Sequence, residues 1–486
     1  MMLTVGALPA PARAVLAALA AALDPAREAW LVGGAVRDVL RGRPVAELDV
    51  AVPAGAIALA RVLADRLDAP FVLLDEARGA ARVMAACPLD VTDWRAPDLA
   101  GDLRARDFTV NALAVGLRPL LRDGRAPVED VTGGLADLAA RAVRLCAPRA
   151  LDDDPVRVLR AVGLGLDAGW RVDPAVAEAA RRAGPRLGDV AAERVRAALA
   201  GILGSAAAGR GLRLLDAWGV TDVLLPEGAA MRATAQPAPH HFDVWEHSLR
   251  AVEAADELVG APERLAPWGS ELAAHLAEPV GDGLARDGLL RLAAWLHDIA
   301  KPETRTETDG QVRFIGHDVV GAERAAAVAA RLRLSGRVTA ILERLVRQHL
   351  RCMHLGQAGV ITARARHRFF RDLGEDARDL LLLSLADAAA VSGASPLALW
   401  TGSGAEVVRE LMRGLPEAEA AAQAPPLLRG EDVMAAFGLA PGPEVGRLLA
   451  AAREAQAVGL VADRAAALGY LGRVVRGELD SPGASS

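Results

Sequence analysis

The chain has 486 residues, a formal net charge of −6 at pH 7, and hydrophobic side chains at 52% of its positions. This length allows two to four domains with sizeable cores. The negative net charge excludes a general attraction for nucleic acid, so RNA binding would need a local basic face. The three cysteines are scattered and form no Cys-x-x-Cys pair, which excludes a disulfide framework and a thiolate zinc site. We therefore expect a reducing compartment, with the cytoplasm as the location.

Strand and helix signals are mixed up to about residue 147. The N-terminal Ala-Leu run predicts a first helix and is too short to span a bilayer, so we expect no membrane segment. "EAWLV" before a Gly-Gly pair predicts a strand and a turn, and the alternating stretches "AELDVAV" and "PLDVTDW" predict half-buried strands. From residue 152, Ala, Leu, Arg and Glu predominate and predict a string of helices. A linker is predicted at residues 233–241 and a disordered end at residues 481–486.

The Gly33-Gly34 pair lies between a predicted strand and a predicted helix, with Arg37 one turn into that helix. A glycine pair at such a place lets backbone N–H groups approach a phosphate, and the helix N-terminus adds partial positive charge. Because short glycine motifs often occur by chance, a tight turn is the simpler explanation of the pair taken alone.

Carboxylates follow on the next predicted strands. Glu47 and Asp49 are two residues apart on one strand, so both project from the same face. Two carboxylates on one face can share hard cations such as Mg²⁺, and two such ions would activate an attacking hydroxyl and neutralise a leaving pyrophosphate. Asp90, on a second predicted strand, would supply a third carboxylate. A solvated strand face is the alternative interpretation of Glu47 and Asp49.

These segments together resemble the nucleotidyltransferase head of the bacterial CCA-adding enzymes and poly(A) polymerases. Residues 31–52, "LVGGAVRDVLRGRPVAELDVAV", are similar to the family's opening motif, although Glu47 stands where the family usually has Asp. "RARDFTVNALAV" resembles the next motif, with Ala105 in place of an Arg. The resemblance implies an α+β head, a mixed β-sheet with helices, in which Glu47, Asp49 and Asp90 are catalytic and the first two bind Mg²⁺. By the same resemblance, the residues that hold the triphosphate and the sugar are Gly33, Gly34, Arg37, Arg106, Asp107 and Asn111.

The stretch "DDDPVRVLRA" resembles the family motif "EDPxRxLRA", which implies that Asp154 and Arg157 read the base of the incoming nucleotide. A carboxylate accepts and a guanidinium donates, so the pair can address the Watson–Crick edges of C and A without a template. Their i,i+3 spacing predicts neighbouring positions on one helix. Arg160 of the same motif and Arg194 of "AAERVRAAL" would support nucleotide binding. A helix-start Asp with an i,i+3 salt bridge is the alternative for the pair alone.

The middle of the chain carries His247, an adjacent His297-Asp298 pair after an apolar stretch, and Asp387 within a Leu and Ala run. A lone His on a helix is more often structural than a ligand. Charged groups are costly to bury, however, unless they are paired or bound to a metal. The His-Asp pair and Asp387 therefore indicate a metal centre.

This set resembles the HD domain, a helical metal-dependent phosphohydrolase fold with the ligand pattern H…HD…D. The resemblance implies a divalent transition metal, Mn²⁺, Ni²⁺ or Zn²⁺, because His and carboxylate ligands suit these ions. Its ligands would be His247, His297, Asp298 and Asp387. A second metal ion or the phosphate would be bound by His317, His349 and Lys301, which is the one lysine of the chain.

The resemblance covers most of the chain and implies four parts. They are a nucleotidyltransferase head at 1–147, an all-α neck for RNA and nucleotide binding at 148–232, an HD domain at 240–400 and a helical tail at 401–480. The implied activity is template-independent addition of CMP, and in CCA-adding members also AMP, to tRNA 3′ ends from CTP and ATP. Arg-bearing helices would then bind the tRNA backbone through its phosphates.

One segment keeps the choice of nucleotide open. Only "APDLAGDL" separates Arg95 from Arg104, where CCA-adding members usually carry a long basic loop, and members that add only CC resemble this shortened form. A CC-adding-only enzyme and a poly(A) polymerase are therefore alternatives. A third is an HD phosphohydrolase or phosphodiesterase with a non-catalytic nucleotide-binding or RNA-binding head, which Glu47, Ala105 and Gly163 favour. A non-enzymatic RNA-binding protein would leave two acidic metal-like sites unexplained, and the oligomeric state is not indicated.

Overall fold

The computed structural model describes residues 1–479, so the expectation of a disordered end at residues 481–486 lies outside the described residues. The chain divides into two compact units. The first comprises Met1–Ile202 and Gly211–Pro226, and the second comprises Leu203–Arg210 and Glu227–Ser486. Within the described part of the chain, no helix combines the length and the apolar character needed to cross a membrane.

An eight-stranded mixed sheet is the centre of the first unit. Its strands are β1 (Met2–Thr4), β2 (Trp30–Val32), β3 (Leu48–Val52), β4 (Phe71–Asp75), β5 (Ala80–Val83), β6 (Leu89–Asp93), β7 (Leu113–Gly116) and β8 (Arg125–Asp130). Their order in space is β1-β8-β7-β2-β3-β6-β5-β4. β3 and β6 run parallel, and the other neighbouring strands run antiparallel. A short parallel pair joins β9 (Ala142–Val143) to β10 (Arg171–Val172).

Helices cover this sheet and extend the chain beyond it. Up to residue 226 they are α1 (Ala10–Ala22), α2 (Gly33–Leu40), α3 (Ala56–Leu67), α4 (Leu99–Arg104), α5 (Leu117–Arg122), α6 (Gly134–Ala140), α7 (Ala150–Asp153), α8 (Arg157–Gly165), α9 (Pro174–Ala183), α10 (Ala192–Leu203), α11 (Ala208–Ala217) and α12 (Thr221–Leu224). Leu16 of α1 and Leu63 of α3 are fully buried in one apolar cluster with Leu31, Val50 and Leu89 of the sheet. The predicted first helix and the three predicted strands are therefore confirmed.

The alternation of side chains along β3 determines from which face of the sheet Asp49, a predicted metal ligand, projects. Leu48, Val50 and Val52 are fully buried in the apolar cluster beneath the sheet. Because successive side chains of a strand point to opposite faces, Asp49 projects from the other face. The parallel register pairs Asp49 directly with Asp90 of β6, which brings the second and third predicted carboxylates side by side.

The expectation that Asp154 and Arg157 share one helix is wrong. Asp154 has extended backbone angles (φ −153°, ψ 95°) and separates α7 from α8, which begins at Arg157. The cause is Pro155, since the residue before a proline is disfavoured in the helical region. The two residues are still neighbours, because the Arg157 backbone N–H donates to the Asp154 carbonyl at 3.0 Å.

The second unit is mainly helical, as expected. Its helices are α13 (Gly228–Arg232), α14 (Val244–Gly260), α15 (Gly269–Leu276), α16 (Arg286–Leu296), α17 (Lys301–Thr304), α18 (His317–Arg331), α19 (Gly336–Gln348), α20 (Arg351–Gln357), α21 (Ala363–Leu373), α22 (Ala377–Ser392), α23 (Pro396–Thr401), α24 (Glu406–Gln423), α25 (Gly430–Phe437), α26 (Pro443–Ala457) and α27 (Arg464–Val475). α16 is buried and packs against α14, α19 and α22. The α+β head followed by a mostly helical remainder is confirmed.

Short strand pairs also occur where the sequence predicts only helices. They are β11 (Pro279–Gly281) with β12 (Leu284–Ala285), and β13 (Thr306–Thr308) with β14 (Gln311–Arg313). The second pair turns at Asp309 and Gly310, whose φ angles are 52° and 75°. Two positive φ angles are typical of the hairpin turn that an Asp-Gly pair favours.

We expect Asp130→Ala to destabilise the first unit by about 2–3 kcal/mol. The Asp130 carboxylate accepts four backbone N–H groups, at 2.8–3.1 Å, and so fixes the start of α6. α6 in turn places Asp137, which accepts from Thr109 Oγ1 at 2.6 Å. Urea unfolding followed by tryptophan fluorescence measures the change. Asp123→Ala is the control, because Asp123 is exposed and pairs with Arg122, and a loss of equal size there would contradict the assignment.

Candidate functional site

The turn from β2 into α2 lies directly against the Asp49 carboxylate. Gly33 has a φ of +72°, and a Cβ built on it would lie 2.8 Å from Asp49 Oδ2. Any side chain at this position would therefore be strained in its backbone, and its Cβ would fit only if the Asp49 carboxylate moved. The first glycine of the pair is thus required by two independent constraints, which a turn that merely packs well would not need.

A chain of polar contacts joins the predicted nucleotide-binding residues of the head. Arg37 Nη1 donates to Asn111 Oδ1 at 2.6 Å, and Asn111 Nδ2 donates to Asp107 Oδ1 at 3.3 Å. Arg160 Nη1 lies 3.7 Å from Asp107 Oδ2. Arg37 is further held by two bonds to Asp38, at 2.9 and 2.8 Å. The structure therefore brings together residues that are more than a hundred positions apart in sequence.

Asp49 has the electrostatic character of a cation ligand. Its pKa is raised from 3.8 to about 6, mainly by burial; Glu47 and Asp90 contribute to this rise, while Arg106 and Arg160 oppose it. A carboxylate that is destabilised in this way gains from a nearby hard cation, and oxygen donors are the ligands that Mg²⁺ prefers. The residues present therefore fit a magnesium ion at Asp49.

Arg82, on β5, is a residue of this site that the sequence analysis missed. Its Nε and Nη2 donate to Asp90 Oδ1 and Oδ2 at 2.6 and 2.9 Å, and Nη2 also donates to Glu47 Oε2 at 3.1 Å. Arg82 pairs with Asp90 in the antiparallel register of β5 and β6. The available signal was a single cation in the apolar run "AARV", directly before the strand that carries Asp90.

The predicted base-reading pair lines a cavity of about 670 Å³ in the first unit. Asp154 and Arg157 form one side, and the turn between β4 and β5 with Trp94 and Arg95 forms another. Asp154 Oδ2 accepts from Arg194 Nη2 at 2.6 Å. Burial alone would raise the pKa of Asp154, but the bond from Arg194 and the charges of nearby arginines outweigh it and lower that pKa. Asp154 is therefore an ionised group that only accepts hydrogen bonds.

Two further predicted nucleotide-binding residues, Arg157 and Arg106, are held in place by contacts within the head. Arg157 Nη1 donates to the Ala150 carbonyl at 2.9 Å and Nη2 to the Ala105 carbonyl at 3.3 Å, so the backbone fixes its guanidinium. Ala105 supports Arg157 with its backbone carbonyl. This contact does not need the arginine side chain that the family usually has at position 105. Arg106 is buried and donates to Asp102 at 3.0 and 3.2 Å, which places its guanidinium inside the head.

Asp102 also holds in place the shortened segment between Arg95 and Arg104. Its carboxylate is buried and accepts from the Arg95 backbone N–H at 3.1 Å as well as from Arg106. Asp98 caps the N-terminus of α4 by accepting from the Gly101 N–H at 2.6 Å. The segment is therefore a short fixed helix and not a long basic loop.

In the second unit, the predicted histidines and aspartates meet as two adjacent clusters of three ligands. One cluster is His247, His297 and Asp387, and the other is Asp298, His317 and His349. The end of α16, the starts of α14 and α18, the end of α19 and the middle of α22 carry these side chains. Four of the six ligands were expected to bind one ion; the geometry divides them between two positions.

Asp298 connects the two clusters. Its Oδ2 lies 3.1 Å from His297 Nε2 and 3.4 Å from His247 Nε2. Its Oδ1 lies 3.3 Å from His317 Nε2 and 3.6 Å from His349 Nε2. Both carboxylate oxygens are buried, and Oδ2 also faces the ammonium group of Lys301. A carboxylate in this position can bridge two metal ions.

The imidazoles present their lone pairs to the centre. Nδ1 of His297, His317 and His349 donates to the carbonyls of Ala294, Phe314 and Val346, at 2.8, 2.6 and 2.6 Å. Because a carbonyl only accepts, each Nδ1 is protonated and each Nε2 can bind a metal. Nε2 of His317 and Nε2 of His349 are 3.2 Å apart, so two lone pairs face each other unless a cation lies between them. The residues therefore fit divalent ions.

The electrostatics agree with a cation site, and the predicted linker contributes to it. Burial lowers the pKa of His297, but Asp298 and Asp387 outweigh burial and raise it to about 10. Lys301 Nζ lies 2.6 Å from Asp298 Oδ2 and donates to Gln236 Oε1 at 2.7 Å. Gln236 belongs to the segment at residues 233–241, so this segment packs over the centre instead of only joining two domains.

We expect Asp49→Asn to stabilise the protein when Mg²⁺ is withheld. Because the fold raises the Asp49 pKa from 3.8 to about 6, the ionised side chain destabilises the native state above pH 6, by about 3 kcal/mol at pH 8. The gain should shrink as the pH falls through 6 and vanish near pH 4, where the carboxyl is protonated. Thermal unfolding in EDTA at pH 4 to 8 measures this, with Asp65→Asn on the exposed surface of α3 as the control. A gain of equal size at pH 4 and pH 8 would contradict the assignment.

We expect metal analysis to separate the two clusters of the second unit. His317→Ala should remove about one divalent ion per chain, and Asp298→Ala should remove both, because Asp298 contacts both positions. Elemental analysis of purified protein gives the counts. His354→Ala, at an exposed histidine outside both clusters, should retain the wild-type content; the same content in His317→Ala would sink the two-position interpretation.

Comparisons with known proteins agree with these sites. Family models match in three parts: the poly(A) polymerase head domain at residues 29–144, the probable RNA and SrmB binding site of polymerase A at residues 169–231, and the HD domain at residues 244–390. The A-adding tRNA nucleotidyltransferase of Deinococcus radiodurans is 38% identical over 440 residues, which cover 89% of this chain and 92% of the relative. The CC-adding tRNA nucleotidyltransferase of Thermus thermophilus is 36% identical over 457 residues, covering 92% and 93%.

Among solved structures, the Thermotoga maritima CCA-adding enzyme complexed with tRNA has the same fold, with a TM-score of 0.56 at 18% identity over 95% of this chain and 98% of that one. The two relatives match this chain over nearly their whole length at well above 30% identity. The chain therefore belongs to the family of tRNA nucleotidyltransferases that carry a poly(A) polymerase head and an HD domain.

Proposed function

We propose that this protein transfers nucleoside monophosphates from nucleoside triphosphates to the 3′ end of tRNA without a template. The observation that supports the proposal is the closeness of the Gly33 turn to the Asp49 carboxylate, because a backbone that can bind phosphate would then lie beside a carboxylate that can bind a metal ion. In the reaction, the tRNA 3′ oxygen forms a bond to the α-phosphorus. The bond between that phosphorus and the bridging oxygen of the β-phosphate breaks, and pyrophosphate leaves.

Different residues of the head would bind the metal ion, the triphosphate and the sugar. Mg²⁺ bound by Glu47 and Asp49 would activate the 3′ hydroxyl and neutralise the leaving pyrophosphate. The backbone N–H groups at Gly33 and Gly34 and the guanidinium of Arg37 would hold the triphosphate. Asp107, Asn111 and Arg160, which are joined by the contacts described above, would place the sugar.

Asp154 and Arg157 would select the base by their hydrogen-bonding character. C and A present an exocyclic amino group that can donate to the ionised Asp154, and an adjacent ring nitrogen that can accept from Arg157. G and U present a carbonyl oxygen where C and A present the amino group, and an oxygen there would face the Asp154 charge. The pair therefore favours CTP and ATP over GTP and UTP.

We propose CMP as the nucleotide added first, with AMP addition decided by experiment. The two relatives described above are named A-adding and CC-adding, so their names do not separate the two activities. The CMP assignment is supported by residues 96–103, where Asp98 and Asp102 hold a short helix in place of a long basic loop.

The cytoplasm, where tRNA and nucleoside triphosphates meet, is the proposed location. The boundaries at 147, 232, 240 and 400 remain a prediction.

We propose a second activity, metal-dependent hydrolysis of a phosphate ester, for the HD centre. Asp298 contacts both ligand clusters, and such a pair of ions can hold both the attacking and the leaving oxygen of a phosphate. The mixed imidazole and carboxylate ligands favour Mn²⁺, Ni²⁺ or Zn²⁺ over Mg²⁺. Lys301, beside Asp298, would add a positive charge for the phosphate.

Purified protein with Mg²⁺, CTP and ATP should extend tRNAs that end before CCA, after C or after CC. Asp49→Ala should lower incorporation by about 10³-fold or more, because the carboxylate nearest the phosphate turn is lost. Asp298→Ala should instead abolish hydrolysis of bis(p-nitrophenyl) phosphate while incorporation persists.

Extension by CC alone would assign a CC-adding enzyme, and processive extension by AMP alone would assign a poly(A) polymerase. No incorporation on any of the three tRNAs would overturn the proposal. An effect of Asp298→Ala without any effect of Asp49→Ala would make the head a binding module for an HD phosphohydrolase.

A further inference from the structure

Arg82 occupies the space between two carboxylates that would otherwise both be available to a metal ion. Its guanidinium donates to both oxygens of Asp90, at 2.6 and 2.9 Å, and to Glu47 Oε2 at 3.1 Å. The bond to Asp90 also raises the pKa of Arg82, so the guanidinium is permanently charged. Two parallel N–H···O bonds to one carboxylate are among the strongest and most directional contacts in proteins.

The sheet register explains why Asp90 is directed to Arg82. Asp49 on β3, Asp90 on β6 and Arg82 on β5 are direct partners across three adjacent strands. Their side chains therefore form one row on a single face of the sheet. Asp90 has Asp49 on one side and Arg82 on the other, and it pairs with the opposite charge.

The positions of the possible metal ligands agree with an Asp90 carboxylate that is directed to Arg82. Among residues 1–479, the clusters in which three ligand atoms lie within 4.8 Å of one another are the two of the HD centre. Glu47, Asp49 and Asp90 do not converge on one point in this way. Glu47 is mostly exposed, and its side chain is long enough to reach Arg82 from outside β3.

We infer that Arg82 is a positioning residue that withholds Asp90 from the metal ion and orients the longer side chain of Glu47. The ion of the head is then bound by Glu47 and Asp49 alone. This inference deepens the proposed nucleotidyl transfer and rests on it for the role of the ion. It assigns Asp90 an anchoring function in place of the catalytic one that the sequence resemblance implies.

Charge balance gives the reason for such an arrangement. Arg106 and Arg160 are already paired with Asp102 and Asp107, so the remaining charges are those of the three carboxylates and Arg82. Their sum is −2, which one divalent ion neutralises. Without Arg82, the third carboxylate would attract a second ion before any nucleotide is bound. With Arg82, a second ion has no free ligand in the head until the triphosphate supplies its own oxygens.

Glu47 has a defined role in this arrangement. An Asp at position 47 would end about 1.5 Å short of the Glu carboxylate and would lose the 3.1 Å contact to Arg82. The Glu that departs from the family pattern is therefore matched to Arg82, and the two residues should act as one unit.

The first test is a count of Mn²⁺ ions bound per chain in the absence of nucleotide, by titration with electron paramagnetic resonance of the free ion. The HD centre contributes equally to every variant, so differences report the head. Arg82→Met should bind one more ion than wild type, and Arg82→Met with Asp90→Asn should return to the wild-type count. Arg66→Met, which removes a positive charge from the exposed surface of α3, is the matched control and should not add an ion.

An unchanged count in Arg82→Met would overturn the inference, and so would the loss of an ion in Asp90→Asn alone, since that loss would make Asp90 a direct ligand. This readout does not depend on tRNA or CTP. A failure of nucleotidyl transfer in wild type and a failure of the Arg82 inference are therefore distinguishable.

The second test is a double-mutant cycle on CMP incorporation. Arg82→Met and Glu47→Asp should each lower kcat about 10-fold, with the KM for CTP within about twofold, because a misplaced metal ligand affects the chemical step. The double variant should be no slower than either single variant. Multiplied losses, or a lowered thermal midpoint that accounts for them, would show a structural role only and would overturn the inference.

Discussion

The approach of the Gly33 backbone to the Asp49 carboxylate is the constraint on which the head depends. The antiparallel register of β2 and β3 pairs Val32 with Asp49, so the chain leaving β2 must turn over that carboxylate. A glycine turns there at a φ of +72° without strain, whereas a Cβ would lie 2.8 Å from Asp49 Oδ2 and would displace the carboxylate. A phosphate held by the turn would therefore lie next to an ion held by Asp49.

Features that depend on local sequence could be predicted, and features that depend on a distant partner could not. The alternation around Asp49 and the glycine pair predicted β2, β3 and the turn. Arg82 was missed because its role comes from bonds to Asp90 and Glu47, which the sheet register brings close. Asp102 was missed although its partner Arg106 is only four residues away, because the sequence does not show that this pair is buried. The single helix expected for the base-reading pair was wrong because the effect of Pro155 on the residue before it outweighs helix propensity.

In the HD centre too, the sequence predicts which residues are ligands better than it predicts their arrangement. Its ligands could be named from the sequence, because a His-Asp pair after an apolar helix is costly to bury without a partner. The sequence also indicated a second position at His317 and His349, for a metal ion or a phosphate. It did not show that Asp298 belongs with them, since that depends on how the end of α16, the start of α18 and the end of α19 meet. The three backbone carbonyls that fix the imidazole tautomers lie three residues before each histidine. Those of Ala294 and Val346 belong to α16 and α19, and that of Phe314 belongs to the turn before α18, so the segments that carry the ligands also orient them.

The carboxylates of the head and those of the HD centre are neutralised by different groups, and this difference suits the two centres to different substrates. In the head, one guanidinium reduces three carboxylates to −2, so a single divalent ion makes the site neutral and the triphosphate would have to bring further cations with it. In the HD centre, neutral imidazoles supply most of the ligands, and Lys301 offsets one of the two carboxylates Asp298 and Asp387. Two divalent ions there would leave a net charge of +3, which is stable only when anionic oxygens complete the coordination. The head is therefore suited to a substrate that arrives with its own metal, and the HD centre to a phosphate ester that binds ions already in place.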